Sequence, residues 1–119
     1  MSVYNRIKLA EVGPVTVVQF VDKKIIDPAV IDELGDELFA LVDRDQRKSV
    51  VLNFGNVEFL SSATINNLIK LDRKMRAAKG SLRFSNLRRD IRDVINILRL
   101  DKLFSIHIEE AEAVASLSG

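Results

Sequence analysis

Val3, Ile7 and Leu9 fall on one face of an extended segment, with Tyr4, Arg6 and Lys8 on the other, and this alternation predicts a half-exposed strand over residues 3–10. Gly13-Pro14 marks a turn. The β-branched run Val15-Thr-Val-Val-Gln-Phe20 predicts a second strand, which so short a connection pairs antiparallel with the first. The period then changes. Asp27 followed by Pro28 is a capping residue ahead of a proline at the first helical position, and Ile31, Leu34, Leu38, Leu41 and Val42 recur at helical spacing, predicting a helix over 28–44. Ser49-Val-Val-Leu-Asn-Phe54 is nearly all apolar without alternation, as expected of a central strand covered on both faces.

After the turn residues Gly55-Asn56 comes a short segment, 57–63. Ile65, Leu68, Ile69, Leu71, Met75 and Ala78 then trace an apolar helical stripe that starts near Ser61 or Ser62 and ends at Gly80. Leu82 and Phe84 alternate with Arg83 and Ser85 in a short strand, while Ile91, Val94, Ile95 and Leu98 share one face of a helix over 88–98. Residues 104–108 predict an edge strand and 109–117 an Ala-rich last helix. The order is β β α β α β α β α. Strands alternating with helices call for a mixed, mainly parallel sheet, opened here by an antiparallel hairpin and with helices packed on it. The expected fold is therefore one α/β domain over residues 1–119, with Met1, Ser118 and Gly119 frayed.

Composition narrows the chemistry. The 119 residues include no Cys, which removes disulfides, thiolate nucleophiles and cysteine-ligated metals, and the single His gives no local zinc or calcium pattern. Gly55 and Gly80 stand alone, without the Lys-Ser/Thr of a phosphate-cradling loop. No cofactor is expected. Eighteen Lys and Arg against 17 Asp and Glu leave a net charge of +1, so neither nucleic acid nor an anionic membrane is favoured as a direct partner. Charges interrupt the first residues where a secretion signal needs an apolar run, and the expected location is the cytoplasm.

Ser62 is the hydroxyl in the most distinctive place: after a buried strand and a short loop, in the first turn of a helix. A hydrolase nucleophile at such a turn needs glycines two residues to either side, where Leu60 and Thr64 stand. His107, the one candidate base, lies between Ile106 and Ile108, which on a strand turns it to the opposite face as a surface or rim residue. Ser61 and Ser62 read first as helix caps, because a serine oxygen accepting from a free backbone N–H stabilises a helix by about 1 kcal/mol. The same donors and the positive end of the helix dipole also accommodate a phosphate on Ser62. It would add about −1.5 to −2 charges to a small uncharged patch of Leu60, Ser61, Ala63, Thr64, Asn66 and Asn67.

The segment Val50-Val-Leu-Asn-Phe-Gly-Asn-Val-Glu-Phe-Leu-Ser-Ser-Ala-Thr-Ile-Asn-Asn-Leu-Ile69, with Lys79-Gly80, Leu82-Arg-Phe-Ser-Asn-Leu87 and Leu100-Asp-Lys-Leu-Phe-Ser-Ile106, resembles a STAS domain of the anti-sigma factor antagonist type. The likeness covers essentially the whole chain and its order of elements. It implies a partner switch. The serine at the start of the second helix, which matches Ser62 with Ser61 as second choice, would be phosphorylated by a partner that is both anti-sigma factor and serine kinase. Unphosphorylated protein would bind that partner and free a sigma factor; phosphate on Ser62 would eject it, and a PP2C-type phosphatase would reset it. The chain would be a substrate, not an enzyme. The docking surface would centre on Phe59, Leu60, Ser61, Ser62, Ala63, Thr64, Asn66 and Asn67. Many members place Asp just before the serine and a Gly-Leu-Gly-like run after the pair; here those positions hold Ser61 and Thr64-Ile65-Asn66. A STAS scaffold without phosphorylation, or a small-molecule or nucleotide-sensing module, is the alternative.

Charge is unevenly spread. Asp27, Asp32, Glu33, Asp36, Glu37, Asp43 and Asp45 face only Arg44 in the first helical region, whereas Lys70, Arg73, Lys74, Arg76, Lys79, Arg83, Arg88, Arg89 and Arg92 outnumber Asp72 and Asp90 later. Two solvated faces that partly compensate each other are expected, with a docking zone for an acidic partner as the functional reading.

Overall fold

The hairpin forms where the alternation places it. β1 (Ile7–Val12) and β2 (Val15–Phe20) pair antiparallel from Ile7↔Phe20 to Val12↔Val15, turning at Gly13 with φ +60°. The computed structural model describes residues 4–118; Val3, Met1 and Gly119 lie outside them. Among the described residues β1 begins at Ile7, and residues 4–6 of the expected strand lie outside it for a physical reason: the buried Glu37 carboxylate accepts from the backbone N–H groups of Asn5 (2.9 Å) and Arg6 (2.8 Å). Those donors are satisfied by a helix side chain and leave the sheet ladder.

β3 (Lys24–Ile25) precedes α1 (Pro28–Asp43), whose cap is Asp27: its carboxylate accepts from the N–H of Ala29 at 2.9 Å, with Pro28 at the first helical position. β4 (Ser49–Asn53) and β5 (Phe59–Leu60) lead into α2 (Ser62–Ala77). β6 (Ser81–Ser85), α3 (Arg89–Ile97), β7 (Ser105–His107) and α4 (Glu110–Ser118), which takes in Ser118, complete the chain. The main sheet has the order β1-β2-β4-β6-β7, and all its pairs after the hairpin are parallel. The expected α/β architecture is thus present. One addition is a parallel two-stranded ribbon of β3 and β5, pairing Lys24 with Phe59 and Ile25 with Leu60. Two residues are too few to show any period in a sequence.

Val50, Val51 and Leu52 of β4 are all buried, as their unbroken apolar run requires. Val50, Leu52 and Phe54 face the core beneath α1 and α2; Val51 faces Val15, Val17 and Ala113 of α4. Across the strands runs a file of rings: Phe20 to Phe54 at 4.7 Å, Phe54 to Phe84 at 5.3 Å, and Phe84 to Phe104 at 4.4 Å. Such contacts add roughly 0.5–1.5 kcal/mol each beyond the area they bury. Gly35 lets α1 approach α2, since a Cβ there would lie 2.8 Å from the Asn67 side-chain nitrogen, which donates to the Ile31 carbonyl.

Two expectations are corrected. In α3 only Ile91 and Ile95 are buried; Val94 and Leu98 are 42% and 52% exposed, because the short helix packs one narrow stripe against the core and turns its flank outward. Ile108 lies beyond β7 and is exposed, while Ile106 packs on the core. Among the described residues no helix is long and apolar enough to cross a membrane.

Phe84→Ala would remove the ring that joins both halves of the aromatic file, and an equilibrium urea titration should show a loss of about 3–5 kcal/mol. A second prediction concerns acid. Hydrogen bonds from Arg44 and Tyr4 hold the Asp45 carboxyl below its ordinary range. A carboxyl shifted in this direction contributes stability that is complete at neutral pH and is lost as pH falls through the lowered value. Asp45→Asn should therefore destabilise the protein at pH 7, and the difference from wild type should vanish toward pH 2 in parallel melts.

Candidate functional site

Everything at the second helix start is built on the loop that follows β4. The Asn53 side-chain oxygen accepts from the N–H of Gly55 at 2.8 Å, and the N–H of Val57 donates to the Phe54 carbonyl at 2.9 Å, closing a tight turn. Val57 is fully buried and anchors the loop, which leaves Phe59 53% exposed. The Lys23 carbonyl accepts from Glu58 (2.7 Å) and Phe59 (3.2 Å), and the Ile25 carbonyl accepts from the N–H of Ser61 at 3.1 Å. The ribbon therefore delivers Ser61 to the end of α2 with its backbone already fixed.

The two serines have different tasks. Ser61 is the cap, with extended backbone (φ −87°, ψ 168°); its Oγ accepts from the N–H of Thr64 at 3.4 Å and lies 3.3 Å from Thr64 Oγ1. Ser62 is the first helical residue, exposed, and its hydroxyl has no hydrogen-bond partner among the described residues. Around it the helix start offers backbone N–H groups that have no carbonyl one turn earlier. A negative group on Ser62 Oγ would meet the positive end of the α2 dipole, and the capping hydrogen bond would stay on the neighbouring residue.

Of the expected patch, Phe59, Ser62, Ala63 and Asn66 are exposed, and Leu60, Ser61 and Asn67 are half-buried. Thr64 departs from the expectation: it is 1% exposed, and its hydroxyl donates to the Ile25 carbonyl at 3.3 Å. It supports the surface from beneath and does not face a partner. Sequence patterning missed Ile26, 51% exposed directly after β3, whose only signal was two isoleucines between a lysine pair and Asp27-Pro28. It also missed the outer flank of α3. A cavity of about 240 Å³ lined by Glu58, Phe59, Leu60, Asp90, Ile91 and Val94 extends the patch from β5 to that flank.

Charge compensation is partial. Lys74 of α2 pairs with Asp43 of α1 at 2.9 Å and lies over the Phe39 ring, and Arg76 pairs with Asp72 at 2.8 Å. Lys70, Arg73, Lys79, Arg88, Arg89 and Arg92 are exposed and carry no ion pair among the described residues. His107 is half-buried on the edge strand β7, in register with Ser85, and no hydrogen bond joins it to Ser62. Among the described residues no three carboxylates or imidazoles are placed to hold a metal ion.

Residues 6–115 match the STAS domain family model, and the chain belongs to that family. It is 29% identical over 92 residues, 76% of this chain and 78% of the relative, to the protein named "Putative anti-sigma factor antagonist BtrV" of Bordetella bronchiseptica. An anti-sigma factor antagonist from Mycobacterium paratuberculosis shares the fold with a TM-score of 0.82 at 22% identity, over 95% of this chain and 93% of that one. The Bacillus cell fate determinant SpoIIAA in its phosphorylated form superposes with a TM-score of 0.71 at 16% identity, over 93% of this chain and 98% of that one.

Removing each hydroxyl should separate the two roles by stability alone. Ser61→Ala should lose about 1 kcal/mol in a urea titration as the cap disappears, and Ser62→Ala should stay within about 0.5 kcal/mol of wild type. A comparable loss in both variants would mean that the cap is shared.

Proposed function

We propose that this protein is an anti-sigma factor antagonist of the cytoplasm, controlled by phosphorylation of Ser62. The observation that carries the reading is the division between Ser61, whose oxygen caps α2, and Ser62, whose oxygen is exposed and unengaged. A kinase can reach the second hydroxyl without dismantling the first. In the transfer, Ser62 Oγ forms a bond to the γ-phosphorus of ATP, the bond to the bridging oxygen breaks, ADP leaves, and the hydroxyl proton passes to a base on the kinase.

The unmodified surface from Phe59 to Asn67, without Thr64, would dock an anti-sigma factor that is also the serine kinase, and so release a sigma factor for transcription. Phosphate placed in that contact is a charge that the partner must desolvate. Burying an unpaired ion costs several kcal/mol, and about 1.4 kcal/mol is a tenfold change in affinity. Hydrolysis by a PP2C-type phosphatase would restore the binding form. Support for the class of function comes from the family match and from the relative named as an anti-sigma factor antagonist. In this reading the chain is the substrate of both enzymes and catalyses neither step.

Ser61 occupies the place where many relatives carry an acid, which keeps a constitutive binder as the second reading. The two differ in one measurement. Incubation with ATP and the cognate kinase, followed by peptide mass spectrometry, should place one phosphate on Ser62 and none on Ser62→Ala. In a titration against the same kinase, Ser62→Asp should bind at least tenfold more weakly than wild type, and Ser62→Ala should bind like wild type. Absence of phosphate together with unchanged affinity of Ser62→Asp would refute the switch and leave the constitutive binder.

A further inference from the structure

Strand register carries a row of polar side chains across the carboxyl ends of the parallel strands. Lys8 stands opposite Gln19, Gln19 beside Asn53, Asn53 beside Ser85, and Ser85 beside His107. Because side chains alternate along a strand, this row lies on the face opposite Ile7, Phe20, Leu52 and Phe84, which point into the main core. Over the inner half of the row stands the start of α4, where Glu110 accepts from the Asn53 amide at 2.8 Å. The outer half is open. Lys8 and Gln19 line a cleft of about 380 Å³ with Phe20, Val21, Asn53, Gly55 and Asn56, a volume within the range of small-molecule sites.

The lining is part rigid and part uncommitted. Asn53 is held at both ends, by Gly55 and by Glu110, and Asn56 donates to the carbonyls of Phe20 (3.0 Å) and Val21 (3.1 Å), which leaves its own oxygen as an acceptor. The Lys8 ammonium and the Gln19 amide, by contrast, have no protein partner among the described residues, and Val21 leaves an apolar surface 42% exposed beside them. Ser85, beside Asn53 in the row, and Asn86 do not line the cleft.

We propose that this cleft binds a small organic carboxylate, with its anionic end on Lys8 Nζ and the Gln19 amide and its hydrocarbon body against Val21. The apolar Val21 surface beside a single ammonium fits a ligand with one anionic end and a hydrocarbon body, which inorganic phosphate lacks. Glu110, at the inner end, directs an anion outward to Lys8. The site is separate from Ser62 and does not depend on the switch.

The test is an NMR titration of the isotope-labelled full chain with isovalerate, and with inorganic phosphate in parallel. Isovalerate should shift the amides of Lys8, Gln19, Val21, Gly55 and Asn56 in a saturable way, with a dissociation constant of about 1 mM or tighter for so small a ligand. Lys8→Met and Gln19→Leu, both at exposed positions, should each weaken binding at least fivefold while their remaining resonances stay in place. The proposal is overturned if no saturable shift occurs, if both variants bind like wild type, or if phosphate shifts the same amides as strongly. Shifts confined to the exposed arginines of α3 would overturn it too.

Discussion

The backbone carbonyl of Ile25 accepts two hydrogen bonds, from the N–H of Ser61 and from Thr64 Oγ1, and the position of the whole site depends on that oxygen. It belongs to a strand of two residues, so its own place is fixed by pairing with Leu60 and by the burial of Ile25 at 1% exposure. The first bond sets the direction in which the chain enters α2. The second buries Thr64 and brings its N–H to the Ser61 oxygen. With both in place the next residue, Ser62, has nowhere to point but outward. A hydrogen bond of this kind contributes only about 1 kcal/mol net, yet losing one leaves a buried acceptor partly unsatisfied, which costs more than the bond itself gives.

Beneath that carbonyl lies a stiffer layer. The file of phenylalanine rings crosses the sheet near the ends of β2, β4 and β6, and Phe54 in its middle is also the residue whose carbonyl closes the turn to Val57. Packing therefore reaches the loop ahead of the helix start through a backbone bond at Val57, and the short side chains of Asn53 and Thr64 complete the link. Charge is handled differently. The acidic helix α1 and the basic helix α2 are joined at one point by Lys74 and Asp43, and most of the basic residues remain open to solvent. Such groups set encounter rates and partner choice far more than stability.

How much of this was legible in the sequence follows from the physics of each element. The stripes of α1 and α2 repeat over four turns, and the β4 run is apolar without interruption, so each states its own structure. Asp27-Pro28 marks a helix start by residue type alone, and the pair Ser61-Ser62 marks the second to within one residue, the structure giving the cap to Ser61. The ribbon was not legible, because two residues hold no period and their partners are more than thirty positions apart. Nor could the pattern tell Val57 from Phe59, which share a strand face in principle, until the turn at Gly55 fixed which one entered the core. The outward flank of α3 shows the reverse failure: Val94 and Leu98 fit a helical stripe, but nine residues packed along one narrow line bury only Ile91 and Ile95. Thr64 belongs to the expected patch by its position between Ser61 and Asn67, yet a hydroxyl that donates to a main-chain carbonyl is as well placed inside.

Giving the cap to one serine and leaving the next one bare has a consequence for the lifetime of the two chemical forms. A phosphate placed on Ser62 as proposed would meet the positive end of the α2 dipole while the cap stayed on Ser61, so the modified form would open to proteases no more often than the bare one. Turnover would then not deplete the modified form, and a fall in its share would report removal of the phosphate.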